Sequence, residues 1–183
     1  KRGGLVSHRR LSNGDDKPYE LNISWWSAME DSSRDAKRFQ YERFILSQLL
    51  VMALKGVPAF YLPALLASEN DIKSFSMTGQ RRDLNREKFK SENLSAVLNN
   101  PESNANKNLK YLRNAMDVRS ELKQFHPCSQ MKCLSKGRSD IVVIKRGKGP
   151  ESVFAIHNMT ENKINYQLND NDLPKIIDND FNT

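Results

Sequence analysis

The sequence predicts an α/β unit followed by an antiparallel β unit, and three observations carry that prediction. An apolar helical pattern from Arg34 to Leu54 ends at Gly56 and leads at once into VPAFYL at 57–62. An unbroken apolar run of this length suits a strand buried on both faces of a parallel sheet. Helix, glycine, buried strand is the joint from which α/β folds are built. Past Phe125 the pattern changes to four short runs, MKCLSK, SDIVVIKRG, ESVFAIHNMT and KINYQLND, with turn residues between them. That reads as antiparallel β, with a domain boundary near Phe125. Between the two lies a polar loop, Ser68 to Lys90, that gathers Arg81, Arg82, Asp83, Asn85 and Arg86. Polar donors on a loop beyond a buried strand suit a polyhydroxylated ligand.

The elements follow in order. Residues 1–30 read as loop, because Gly3, Gly4, SNGDD at 12–16 and Pro18 are turn chemistry, with a short apolar patch NISWW at 22–26. Ser32 with Asp35 makes a weak capping box before the first helix. That helix carries Phe39, Phe44, Ile45, Leu49, Leu50 and Met52, and Gly56 sits where a C-terminal cap belongs. Its second half is apolar nearly all round, which predicts burial on more than one side. Pro58 is tolerable at a strand's start, where no ladder donor is needed. NLSAVLNN at 93–100 reads as a short helix ended by Pro101. A longer helix from Ser103 to Gln124 has Leu109, Leu112, Met116, Val118 and Leu122 as its apolar set.

Composition narrows the function classes. The chain has 183 residues, 38% hydrophobic and 28% charged, enough for one or two domains with a core. No apolar run approaches the ~20 residues that cross a bilayer. KRGGLVSHRR lacks an apolar segment after its basic residues and is not a signal peptide. The first residue is Lys rather than Met, which suggests a chain cut from a longer one. The net charge of +7 is scattered, basic at Lys1, Arg2, Arg9 and Arg10 and again from Arg81 to Lys90. It turns acidic after Asn169, with Asp170, Asp172, Asp178 and Asp180. Aromatic residues do not interleave with these basic groups, which argues against nucleic acid. Cys128 and Cys133 read as reduced thiols, since only His126 lies near them and a zinc site needs more ligands.

Four segments, GGLVSHRRLSNGDDKPYELNISWWSAM, GVPAFYLPALLASEND, GQRRDLNREKF and ELKQFHP with the β runs behind it, together resemble a known family. In order and spacing the chain resembles the C-terminal portion of the sucrose phosphorylase-type glycoside phosphorylases of the α-amylase superfamily. That group takes in the sucrose, sucrose-phosphate and glucosylglycerate phosphorylases. The resemblance implies the last part of a (β/α)8 barrel followed by a small, incomplete antiparallel C-terminal β domain. It assigns 1–30 to the lid loop after barrel strand seven, 31–125 to the end of the barrel and 126–183 to the β domain. A complete barrel needs ~250 residues.

The implied chemistry is transfer of glucose between an α-glucoside and inorganic phosphate with retained configuration. Such enzymes use two carboxylates only ~5 Å apart. In the family these and a third, stabilising carboxylate lie upstream of the segment that opens this sequence. No catalytic residue is therefore assigned here, and the isolated chain is expected to be inactive. Arg82 matches the family arginine that binds the glucosyl unit, and its planar fork can donate paired bonds to sugar oxygens. Tyr19 and Glu20 stand where sucrose phosphorylases carry a mobile Tyr-Gln pair. An ionised Glu20 accepts from hydroxyls and repels anions, which points away from sucrose and toward the glucosylglycerate relatives. His8 is a further ligand or phosphate contact, and Asn85 and Arg86 brace the loop. Each has a plain structural alternative: ion pairs for the arginines, a solvated carboxylate for Glu20, a loop histidine for His8. His126 and His157 read as structural. No metal or organic cofactor is implied. The expected partners are an α-glucoside, inorganic phosphate and a small acceptor, without nucleic acid or membrane, in a cytoplasmic protein with room for a homodimer. The competing reading is a non-catalytic module that binds sugars or nucleic acid.

Overall fold

A computed structural model describes residues 3–31 and 37–169. The Ser32–Asp35 capping box, the start of the first long helix and the acidic stretch from Asp170 lie outside the described residues. The chain divides into two compact units. One comprises Lys1–Gln48 and Ala59–Asn114, the other Leu49–Pro58 and Ala115–Thr183. No helix among the described residues is long and apolar enough to cross a membrane.

The first unit opens with a hairpin where the sequence reads as loop. Strands β1 (Leu5–Arg10) and β2 (Asp16–Asn22) pair antiparallel, Leu5 opposite Asn22 and Arg10 opposite Asp16. SNGDD is the turn that joins them: Gly14 takes φ 89°, and the Leu11 N–H reaches the Asp15 carbonyl at 2.8 Å. Asn13 braces it, donating from its side-chain amide to the Asp15 carboxylate at 2.8 Å. Helix α1 (Trp25–Ala28) is capped by Ser24, whose hydroxyl accepts from the Ser27 N–H. Helix α2 (Gln40–Ala53) carries Phe44 into a core with Trp26 and Ala67. The Phe44 ring meets Trp26 edge to face at 5.2 Å between centroids, the geometry aromatic quadrupoles prefer.

VPAFYL is not a strand, which corrects the expectation above. Residues 57–61 carry no regular structure, Val57 is 80% and Tyr61 56% exposed, and Leu62 begins helix α3 (Leu62–Leu65). A buried strand exists only where neighbouring strands take its backbone groups, and the described residues supply none here. Helix α3 ends in a Schellman motif, with Ser68 N–H on the Pro63 carbonyl at 2.9 Å and Ala67 N–H on the Ala64 carbonyl at 3.2 Å. Ala67 holds the left-handed position (φ 50°) that glycine usually fills. Its methyl is the compensation, because it packs into the Trp26–Phe44 core.

Helix α4 (Ile72–Thr78) starts at Asp71, whose carboxylate accepts from the Ser74 N–H at 2.9 Å. Those Ser74 bonds hold the Asp71 carboxyl below its ordinary pKa. Gly79 ends the helix at φ 67°. A 3-10 turn (Arg81–Asn85) follows, then α5 (Ser91–Asn99) and α6 (Asn104–Glu121). On α6, Ala105, Asn108 and Leu112 are buried at helical spacing. The expected apolar positions Met116 and Val118 are 38% and 56% exposed. Asn108 caps α3, donating to the Leu65 carbonyl at 2.7 Å.

The second unit holds a three-stranded antiparallel sheet, β3 (Met131–Cys133), β4 (Ile141–Arg146) and β5 (Val153–Asn158), in the order 3-4-5. Three of the four β runs read from the sequence thus form the sheet. In the fourth, residues 163–169 have no strand assignment and the rest is not described. Central β4 supplies the core with Ile141, Val143 and Ile144, each at most 2% exposed. Arg146, at its end, is 0% exposed. It donates to the Ala53, Leu54 and His126 carbonyls at 3.0, 2.7 and 3.0 Å. Arg119 donates to the Met52 and Gly56 carbonyls at 2.8 and 2.9 Å. Both guanidinium carbons lie 5.3 Å from the centre of the Phe125 ring. Together they satisfy the carbonyls that the C-terminal end of α2 leaves open.

Candidate functional site

The hairpin and the 3-10 turn of the first unit bring three of the sequence-predicted residues together. The pairing of β1 with β2 slips between Ser7 and His8. Ser7 faces Glu20, His8 faces Pro18, and Tyr19 has no partner across the ladder. Such a bulge turns side chains out of the regular alternation. Tyr19 stands 60% exposed. On β2 it precedes Glu20, whose Oε2 accepts from Arg82 Nε at 3.1 Å. The Glu20 carboxylate, with a smaller contribution from Tyr19, holds the Arg82 guanidinium above its ordinary pKa.

The scaffold under this pair is polar and local. Arg81 donates from Nη1 to the Val6 carbonyl at 2.8 Å, tying the turn to β1. Asp83 accepts from Thr78 Oγ1 at 2.7 Å, and Leu84, 2% exposed, plugs the turn. The Leu84 carbonyl accepts from the Asp71 N–H at 2.7 Å. Asn70 binds the segment after the hairpin, its side-chain oxygen accepting from the Ser24 N–H at 2.8 Å. At the base of the hairpin Ser7 Oγ donates to Asn22 Oδ1 at 2.7 Å. A Cβ on Gly4 would sit 3.1 Å from Ile23, so a side chain there would push the strands apart.

The arrangement is chemically a hydroxyl reader. The Arg82 fork has five N–H donors, one of which Glu20 takes, and its side chain is 52% exposed. Glu20 adds an acceptor, and Tyr19 a ring face with a phenol. The Oδ1 of Asn85 is buried without a hydrogen-bond partner, an acceptor suited to a hydroxyl donor. Arg86 is exposed on the far side of the turn. His8 lies exposed on β1, across the bulge from the Ser7–Glu20 pair. Three side chains were not foreseen: Arg81 as the strand anchor, Asn70 as the segment clamp and Thr78 as the Asp83 donor. Arg81 stood in the quoted cluster, but nothing in sequence distinguishes a backbone anchor from its neighbour Arg82.

The other sequence candidates fall elsewhere. His126 is exposed, and its Nδ1 accepts from the Cys128 N–H at 3.2 Å. His157 is buried in β5, and burial depresses its pKa. Cys128 and Cys133 are free thiols. Among the described residues no group of His, Cys, Asp or Glu is arranged to hold a metal ion.

Comparison with known proteins supplies the context for this geometry. No family model matches the chain. It is 31% identical over 160 residues to the glucosylglycerate phosphorylase of Allomeiothermus silvanus, covering 87% of this chain and 28% of that protein. It is 31% identical to the glucosylglycerate phosphorylase of Spirochaeta thermophila, over 85% of this chain and 24% of the relative. A sucrose phosphorylase of Streptococcus mutans is 23% identical over 84% of the chain. The chain thus spans about a quarter of the length of the curated relatives it matches. Among solved structures, sucrose 6F-phosphate phosphorylase from Thermoanaerobacter thermosaccharolyticum superposes with a TM-score of 0.62. It covers 85% of this chain and 29% of that one at 18% identity, a likeness of fold.

Proposed function

We propose that this chain, which belongs to the sucrose phosphorylase-type glycoside phosphorylases and fits their C-terminal portion, supplies the sugar-reading edge of a retaining glucosyl phosphorylase. The intact protein would move glucose between an α-glucoside and inorganic phosphate. The observation that carries the reading is the Glu20–Arg82 contact beside Tyr19. It joins two segments 62 residues apart, both singled out by the resemblance. In this proposal residues 1–30 form the lid loop, 31–125 the end of a (β/α)8 barrel and 126–183 the β domain. The exposed run at 57–62 would be covered by neighbouring barrel strands in the intact protein. Arg82 binds the glucosyl unit, Tyr19, Glu20 and His8 contact the ligand, and Asn85 and Arg86 support the turn. The carboxylates that cleave the bond belong to the rest of the enzyme, so this chain alone does not catalyse.

Glu20 favours glucosylglycerate over sucrose as the donor, and the relatives with higher identity carry that name. The test is phosphorolysis of both donors, by the isolated chain and by the intact protein. The isolated chain should show no turnover. In the intact protein Arg82→Ala should lower kcat/KM by about 10²-fold or more, the usual scale for losing a charged transition-state donor. Arg82→Lys should not restore it, because a point charge lacks the fork. Glu20→Gln should shift preference toward sucrose. Turnover by the isolated chain, or an unchanged kcat/KM in Arg82→Ala, would overturn the corresponding assignment.

A further inference from the structure

The second unit carries a basic cavity for which the proposed function has no use. It is open, about 580 Å³ in volume, and lined by Lys55, Lys132, Lys145, Lys148, Gln130 and Gly147 among others. No Asp or Glu lines it. The four lysines come from four places: the segment just past α2, strand β3, strand β4 and the turn toward β5. Convergence of one charge from four segments is not the outcome of a single solvated helix or strand face.

The sheet register sharpens the point. Lys132 and Lys145 stand directly opposite each other in the β3–β4 ladder. Directly opposed side chains have Cβ atoms about 4.5–5.5 Å apart, and like charges placed so are destabilising. Lys145 in turn faces Phe154 on β5, its Nζ 5.6 Å from the ring centre. The rim is firmly built. The Gly147 N–H donates to the Gln130 carbonyl at 3.0 Å. The Lys55 N–H donates to the Met131 sulfur at 3.3 Å. Gly147 has φ 84°, and a Cβ there would come within 2.8 Å of the Gln124 side chain.

We propose that this cavity binds a small anion carrying two or more phosphate groups. Lysine binds phosphate as a compact point charge. Four lysines spread round a cavity of this size match several phosphate groups better than one. A bound polyanion would also convert the Lys132–Lys145 repulsion into attraction. No aromatic side chain lines the cavity, so it lacks the stacking platform of a nucleic-acid groove.

The test uses the full chain at matched ionic strength, with tripolyphosphate, pyrophosphate, orthophosphate and sulfate as probes. Calorimetry should show one saturable tripolyphosphate site, with orthophosphate and sulfate at least about tenfold weaker, and tripolyphosphate should raise the thermal midpoint. Lys148→Gln should weaken binding by about tenfold, since it removes one charge contact. Lys132→Glu should abolish binding while raising the midpoint of the unliganded chain, because it places opposite charges across the ladder. Misfolding cannot produce that pair of effects. Absence of saturable tripolyphosphate binding, or binding unaltered in Lys132→Glu, would overturn the proposal. So would lysine-dependent binding of a single-stranded oligonucleotide without any of tripolyphosphate.

Discussion

Arg82 and Arg146 are the same residue type put to opposite physical uses. Arg82 lies 52% exposed with a carboxylate partner. Arg146 is fully buried, and its printed partners are three backbone carbonyls. Water screens the first pair, so it adds little to stability and its donors remain within reach of a ligand. The second has no water to fall back on, so each of its hydrogen bonds is needed. Burial, with the nearby Arg119 charge, pulls the Arg146 pKa down, yet a guanidinium stays charged. The difference teaches that an arginine's role follows from its solvent, not from the number of its hydrogen bonds.

The largest expected effect separates the two regions. Arg146→Met should destabilise the second unit by about 3–5 kcal/mol, the range for removing one side of a buried ionic arrangement. The open carbonyls at Ala53, Leu54 and His126 would lose their donor in a dry site. Arg146→Lys should recover little, because one ammonium cannot span three carbonyls. Urea unfolding followed through sheet-sensitive circular dichroism measures both. A loss under about 1 kcal/mol, the scale of an ordinary exposed pair, would erase the contrast.

His157 gives a second, pH-dependent effect confined to the β unit. Its pKa is lowered in the folded state because burial disfavours the imidazolium. The unfolded chain therefore binds the proton more readily. Stability is full above the ordinary histidine value of 6.5 and falls as pH drops through the folded value. The depressed Asp140 carboxyl acts only near and below its ordinary 3.8, so the two windows are separate. Unfolding midpoints across mildly acidic pH should slope downward for wild type and lie flat for His157→Leu. An equal slope in both proteins would place the titration elsewhere.

What the sequence made legible was whatever a local pattern can carry. Helices α5 and α6 and strands β4 and β5 follow from periodicity and from breakers such as Pro101 and Gly147. VPAFYL misled because an apolar run states a wish for burial and not the identity of its neighbours. The hairpin was overlooked because LVSHRR and DKPYELN are charged and Pro18 interrupts the second, although SNGDD between two short runs was the signal. Arg146 read as a surface cation in IVVIKRG. Strand alternation sets it on the face of Val142 and Ile144, a hint of burial that charge obscured. In the candidate site, Arg82, Glu20 and Tyr19 stood out through resemblance, whereas the bulge that turns Tyr19 out depends on pairing that no single strand encodes.

The smallest expected effect lies at Glu20. Glu20→Ala removes the partner of Arg82 but leaves the hairpin held by Arg81 on the Val6 carbonyl and by Ser7 on Asn22. The unfolding midpoint of the isolated chain should not move measurably, and moderate salt should leave wild type and variant indistinguishable, since exposed pairs are screened. Arg81→Ala is the sharper control. It removes a tie between the 3-10 turn and β1, and should increase hydrogen exchange at the hairpin amides. If Glu20→Ala loosened the hairpin as much as Arg81→Ala, the Glu20–Arg82 contact would be a structural brace. Arg82 would then lose its standing as a donor held ready for a ligand, and the contrast with Arg146 would narrow to one of burial alone.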